Sequence, residues 1–207
     1  MLTKQEREIA TCLVLDLIER GIPDNFEDSM GVERWAMNNN VYESGYWVSC
    51  GMTKVCIGHS YLKDWVIKFG FNAKNCKKNI DYMAREYEIY REAEHRNMTE
   101  FFPQTFLLGR FDGRDYYIQE RAECDEDAIS SECYNQICSF YEEEGNECNS
   151  DWIWDEVDDL DDDERVNLLF HNSELIDFLY EHEINDLHEG NFGRINGKFV
   201  IIDFSGY

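Results

Sequence analysis

Apolar and polar positions follow two different periods along this chain, and the switches between them mark the elements. From Thr3 to Glu19, Ile9, Ala10, Leu13 and Leu17 recur at helical spacing, forming one apolar stripe. Thr3-x-x-Glu6 supplies a capping box at its start, and Gly21 and Pro23 end it. This helix is expected to pack over a sheet edge or the back of a lobe. The stretch from Pro23 to Asn40 is polar and irregular and reads as a connector. From Gly45 the period drops to two. Tyr46-Trp47-Val48-Ser49-Cys50 and Thr53-Lys54-Val55-Cys56-Ile57 predict strands around a tight Cys50-Gly51-Met52 turn, and Trp65-Val66-Ile67-Lys68-Phe69 predicts a third. Asn79 to Asn97 predicts a long helix with Ile80, Met83, Ala84, Tyr87 and Tyr90 inward. Thr105 to Arg110 and Asp115 to Arg121 predict two more strands, joined by Asp112-Gly113, a strong hairpin signal.

Further on, Ile129, Cys133, Ile137 and Phe140 predict an acidic amphipathic helix within Asp127 to Glu144. Gly145 to Asp163 is acidic and carries Trp152 and Trp154, and such charge runs are ordinarily solvated loop. Glu164 to Glu181 predicts a helix with Val166, Leu169, Phe170, Ile176 and Leu179 inward. It leads to the loop Ile184-Asn185-Asp186-Leu187-His188-Glu189-Gly190-Asn191. A hairpin then turns at Asn196-Gly197 and ends in Val200-Ile201-Ile202-Asp203-Phe204-Ser205-Gly206. The mixed pattern gives an α+β class. Three segments follow from it: an N-terminal helix and connector (1–40), a strand-rich region (41–122), and a region with the acidic stretch and the final hairpin (123–207).

That hairpin organises the chemistry. Asp186 and Asn191 precede its first strand and Asp203 follows its second, so three polar side chains converge at one end of an otherwise apolar ribbon. Asn191 and Asp203 are hard oxygen donors of the kind Mg²⁺ takes, which leaves Asp186 to accept a proton or align a nucleophile.

The runs D-L-H-E-G-N and I-I-D-F-S-G resemble the catalytic loop and metal-binding motif of the protein-kinase-like superfamily. The D-x-x-x-x-N spacing matches. Ile184-Asn185 replaces the leading His-Arg, and Ser205 stands where the last Gly of D-F-G belongs. His188 stands where protein kinases usually carry Lys, as in the aminoglycoside-phosphotransferase-like branch. W-V-I-K, ending at Lys68, resembles the V-A-I-K strand, and Glu86-x-x-Ile89 has the form of the family's αC helix. The order hairpin, third strand, helix, hairpin also follows the family.

The resemblance implies a five-stranded antiparallel N-terminal lobe with one αC helix, and a much reduced helical C-terminal lobe. It implies ATP and Mg²⁺ as cofactors. Lys68 would contact the α- and β-phosphates and Glu86 would hold Lys68 by an ion pair, with Glu88 and Glu92 as alternatives. Gly51 would lie at the tip of the nucleotide-covering hairpin. Backbone groups of Glu120 and Ala122 would bind the adenine edge, and Gln119 would limit the pocket behind it. Asn191 and Asp203 would hold the metal, and Asp186 would orient an acceptor hydroxyl and take its proton. His188 would contact the γ-phosphate or Asp186; a loop-packing histidine is the plain alternative. Four residues follow Asp203 in the sequence, so the peptide-holding segments of protein kinases are expected to be missing. The acceptor is then a small molecule or a hydroxyl on a bound macromolecule such as a protein.

Composition narrows the partners. At 207 residues with 43% apolar content, the chain is long enough for a substantial core. Its formal charge is −25, from 44 acidic and 19 basic residues, which disfavours direct binding to nucleic acid or an anionic membrane. Between Ala122 and Glu164 there are eighteen Asp or Glu and no Lys, Arg or His; without those eighteen the charge is an ordinary −7. The segment 123–164 is therefore a candidate surface for a protein partner or a basic substrate. No apolar run has the length of a membrane span, and the N-terminus lacks the apolar block of a signal peptide. Eight cysteines without C-x-x-C or zinc spacing read as reduced packing residues of a cytoplasmic protein. Two rivals to a phosphotransferase remain: a non-catalytic kinase-like module that binds nucleotide or a partner, and an acidic mimic of nucleic acid.

Overall fold

A computed structural model describes residues 1–51, 53–71, 80–124, 173–184 and 189–205. The protein is α+β and divides into two compact units: Met1–Tyr90 with Gln104–Arg121, and Arg91–Pro103 with Ala122–Tyr207. Among the described residues, no helix is long and apolar enough to cross a membrane.

The first unit is built on a five-stranded antiparallel sheet. Its strands are β1 (Tyr46–Cys50), β2 (Lys54–His59), β3 (Leu62–Gly70), β4 (Thr105–Phe111) and β5 (Arg114–Glu120), in the order β1-β2-β3-β5-β4. The hairpin between β4 and β5 turns on Asp112 (φ 48°) and Gly113 (φ 80°). Both residues are left-handed, which matches a turn's twist to that of its strands.

Alternation along the strands gives the sheet two unlike faces. Val55, Ile57, Ile67, Phe69, Tyr116 and Ile118 point to one face and belong to the main core. Two helices cover that face. α1 (Lys4–Glu19) lays Ala10, Leu13, Val14 and Leu17 against it. Its capping box forms as the sequence indicates, with Glu6 N–H donating to Thr3 Oγ1 at 3.2 Å and Thr3 N–H donating to Glu6 Oε2 at 2.7 Å. Glu6 Oε1 also accepts from Trp65 Nε1 at 3.1 Å, so the cap fastens the helix to β3.

The stretch read as an irregular connector contains the second helix, α2 (Ser29–Asn38). Asp28 caps it by accepting from Gly31 N–H at 2.7 Å. Val32, Trp35 and Ala36 are buried at i, i+3 and i+4. Exposed Met30 and Met37 blur this short apolar face in the sequence.

The opposite sheet face carries α3 (Tyr82–His95). Asp81 starts this helix by accepting from the backbone N–H groups of Met83 (3.1 Å) and Ala84 (3.0 Å). It begins three residues later than the pattern indicates, although residue 79 lies outside the described ones. Met83 and Tyr90 are buried as expected, while Ile80, Ala84 and Tyr87 are only partly so.

In the second unit, α4 (Ser173–Glu181) buries Leu175, Phe178 and Leu179. Phe102 packs on Phe178 (5.5 Å between centroids) and on Phe204 (4.9 Å). Arg96 lies over Phe178 and pairs with Glu181 at 2.6 Å. The closing hairpin is β6 (Phe192–Ile195) and β7 (Lys198–Ile201), turning on Asn196 (φ 53°) and Gly197 (φ 76°). The helix read within Asp127 to Glu144, the first half of the helix read from Glu164, and all of segment 123–164 except Glu123 and Cys124 lie outside the described residues. Cys12, Cys50, Cys56 and Cys124 are free thiols.

Candidate functional site

Beneath α3, the sheet face is polar. Lys68 lies directly opposite Cys56 on β2 and Tyr117 on β5. Lys54, Gln119 and Thr105 share that face by register. Lysines, a glutamine and a threonine inside a sheet–helix layer need partners; the two lysines and the glutamine converge on one carboxylate, and the threonine meets the glutamine.

Glu86 projects from α3 into this face and is 0% exposed. Lys68 Nζ donates to its Oε1 at 2.7 Å. Gln119 Nε2 donates to the same oxygen at 2.7 Å and to Thr105 Oγ1 at 2.9 Å, while Gln119 Oε1 accepts from Lys68 at 2.9 Å. Lys54 Nζ donates to Glu86 Oε2 at 2.6 Å. The helix offered three glutamates for Lys68, and the structure selects Glu86. Glu88 is exposed, and Glu92 pairs with Arg96 at 2.9 Å. Tyr117 closes the side of the cluster against Tyr87, 5.6 Å between centroids. Burial, with the Asp81 charge adding, raises the Tyr117 phenol far above its ordinary range and keeps it neutral.

Gly51 is exposed at the β1–β2 tip, where its N–H donates to Lys54 C=O at 3.0 Å. Thr53 C=O accepts from Phe71 N–H at 2.8 Å, tying the tip to the end of β3. Glu120 ends β5. Its N–H is taken by Gln104 C=O at 2.8 Å, and its carboxylate accepts from Gln104 Nε2 at 3.1 Å. Its backbone N–H is thus engaged within the first unit.

In the second unit, Glu123 and Arg194 exchange two backbone hydrogen bonds of 2.8 Å, which brings Ala122 against Gly193. A Cβ on Gly193 would stand 2.9 Å from Ala122 Cβ and 3.0 Å from Glu123 C=O, so only glycine fits this crossing.

Asn191 and Asp203 flank the β6–β7 hairpin. Phe192 pairs with Ile201, and Asn191 C=O accepts from Ile202 N–H at 2.9 Å. The register thus sets the two oxygen-bearing residues at the hairpin's open end. Asn191 is buried, and Asp203 Oδ1 is met by Ser205 Oγ at 3.4 Å. An amide oxygen and a carboxylate at one ribbon end suit a hard cation by donor type. Among the described residues, no three His, Cys, Asp or Glu gather into a metal-holding group. Asp186 and His188 lie outside the described residues.

One member of the cluster, Lys54, escapes sequence reasoning. A lysine beside a hairpin tip reads as solvated. The available signal was its parity: it shares a sheet face with Lys68.

No known family model matches this chain, and no curated protein is significantly similar to it.

Proposed function

We propose that this protein is an ATP- and Mg²⁺-dependent phosphotransferase of protein-kinase-like fold acting on a hydroxyl acceptor. The observation that carries this reading is the buried ion pair between Lys68 on β3 and Glu86 on α3. A lysine held this way presents a fixed ammonium where a flexible surface lysine would sweep through many rotamers. Fixed charge is what phosphoryl transfer requires, because its catalysis is almost entirely positioning and electrostatic stabilisation.

Lys68, anchored by Glu86 and Gln119, orients the α- and β-phosphates. The turn at Gly51 covers the phosphates from the β1–β2 tip, and the Glu120 carbonyl and Ala122 backbone bind the adenine edge. Asn191 and Asp203 would hold Mg²⁺, which when bound would supply positive charge against the phosphates. Asp186 aligns the acceptor hydroxyl and takes its proton, and the role proposed for His188 is contact with the γ-phosphate or with Asp186. The acceptor is a small molecule or a protein hydroxyl.

The test is transfer of labelled γ-phosphate from ATP into a cell lysate, with Asp203→Ala and Asp186→Ala as controls. Wild-type labelling lost in both variants supports the reading. Asp186→Ala should still bind nucleotide, and transfer retained in that variant removes Asp186 from its role. A thermal-shift titration separates the enzyme from a nucleotide-free scaffold. Ligand at 100 times its Kd stabilises by about 2.7 kcal/mol, so a shift requiring both ATP and Mg²⁺ supports a working site. No shift at saturating ATP overturns it.

A further inference from the structure

Glu86 is gripped by two lysines, one on each oxygen. Lys68 holds Oε1 at 2.7 Å and Lys54 holds Oε2 at 2.6 Å, with both lysine side chains under one tenth exposed. The two Nζ atoms stand no further apart than one carboxylate and two hydrogen bonds. They reach it from different strands, Lys68 from opposite Cys56 and Lys54 from opposite Gly70, one step nearer the β1–β2 tip.

Glu86 Oε1 takes two N–H donors, from Lys68 and Gln119, which fasten the helix to the sheet on that oxygen, and Lys54 meets the other. Drawing another ammonium out of water costs several kcal/mol before compensation. A lysine next to a hairpin tip can instead extend its stem and leave its head in solvent at almost no cost. Lys54 does the opposite and turns inward beside Lys68.

We propose that Lys54 is a second polyphosphate-binding residue, and that Lys54 and Lys68 form a two-pronged cation on the shared anchor Glu86. The inference rests on the nucleotide-binding reading above and adds to it a specificity. Two ammonium groups facing one ligand reward each added phosphate charge, so the site selects nucleoside triphosphate over diphosphate and monophosphate through both lysines. Lys54 contacts the phosphates nearest the Gly51 turn, because it begins the strand that leaves that turn.

The experiment is a calorimetric titration of the full chain with adenosine, AMP, ADP and ATP, with Mg²⁺ throughout, comparing wild type, Lys54→Gln, Lys54→Met and Lys68→Met. Gln keeps a donor for Glu86 and removes only the charge, so a purely structural Lys54 is rescued by Gln. The expected result is that Lys54→Gln and Lys54→Met each weaken ATP about tenfold, as does Lys68→Met, with adenosine affinity unchanged. Triphosphate-over-monophosphate preference should fall in step. ATP affinity equal to wild type in Lys54→Gln overturns the role of Lys54 while leaving the proposed function standing. Wild type that binds none of the four ligands overturns both.

Discussion

Lys68 Nζ lies 2.7 Å from Glu86 Oε1, joining two residues 18 positions apart in sequence across the interface of a strand and a helix. The carboxylate is fully buried, and every hydrogen bond to it described above comes from the sheet. The polar fastening of α3 to the sheet described above thus runs through one side chain, beside the apolar packing of Met83, Tyr87 and Tyr90.

Replacing Glu86 should unfasten that helix. Glu86→Ala leaves two ammonium groups in a layer arranged around an anion, and breaking a buried pair by removing one partner costs about 3–5 kcal/mol. Glu86→Gln keeps the shape and loses the charge, so its loss should be similar in sign and smaller. Urea denaturation of the three proteins measures both.

Gly58 faces Trp47 across β1 and β2, and the indole lies where a side chain at 58 would go. A Cβ on Gly58 would stand 2.0 Å from Trp47 Cε2, with Arg121 5.3 Å from the ring centroid on Trp47. Gly58→Ala should displace the indole and cost about 1–3 kcal/mol, as overpacking does. The displaced indole should also shift tryptophan emission to the red. An unshifted spectrum with unchanged stability refutes this packing.

The Asp16–Tyr46 pair should give the first unit a pH signature at both ends. Asp16 accepts from Arg20 Nε at 2.8 Å and from Tyr46 Oη at 2.7 Å. Arg20 chiefly, with Tyr46 adding and burial opposing, holds its carboxyl below the usual range. A carboxyl depressed in the folded state stabilises above its unfolded pKa and loses that contribution as pH falls through the folded value. Asp16→Asn should therefore flatten part of the acid limb of a stability profile. The Tyr46 phenol is shifted the other way, by burial first and then by Asp16. Its contribution is complete below the ordinary tyrosine pKa of about 10 and is lost as pH rises towards the higher folded value. Tyr46→Phe should remove that alkaline loss. Denaturation midpoints across the pH range check both signs.

Gly197 lies at φ 76° with open space where a Cβ would point, so only backbone strain opposes substitution. Gly197→Ala should cost about 1–2 kcal/mol, the left-handed penalty of an L-residue. This turn sets the register that places Asn191 beside Ile202, so if the proposed function holds, the same variant should weaken Mg²⁺-dependent stabilisation by ATP more than binding of adenosine. Paired thermal-shift titrations distinguish these.

Phe102 is buried between Phe178 and Phe204. Phe102→Ala should cost about 3–5 kcal/mol of the second unit's stability, as an aromatic-sized cavity does, measurable by hydrogen exchange in α4 and β7.

What could be read from sequence was local in origin. Thr3 and Glu6, Asp112 and Gly113, and Asn196 and Gly197 act over three or four residues, so the cap and both turns follow from neighbouring chemistry alone. Strand alternation likewise located the five strands of the first unit. α2 went unread because its buried face is only Val32, Trp35 and Ala36, with exposed methionines on either side. Nothing local ranks Glu86 above Glu88 or Glu92, since all three stand on one helix and differ only in which way they turn towards a sheet. The inward turn of Lys54 has the same origin: a lysine's stem can run either way, and the direction is chosen by a carboxylate 32 residues distant in sequence. Local chemistry therefore determined where this chain turns, caps and alternates. The tertiary structure alone decided which charges meet, because a long side chain's partner is set by the packing of strand against helix.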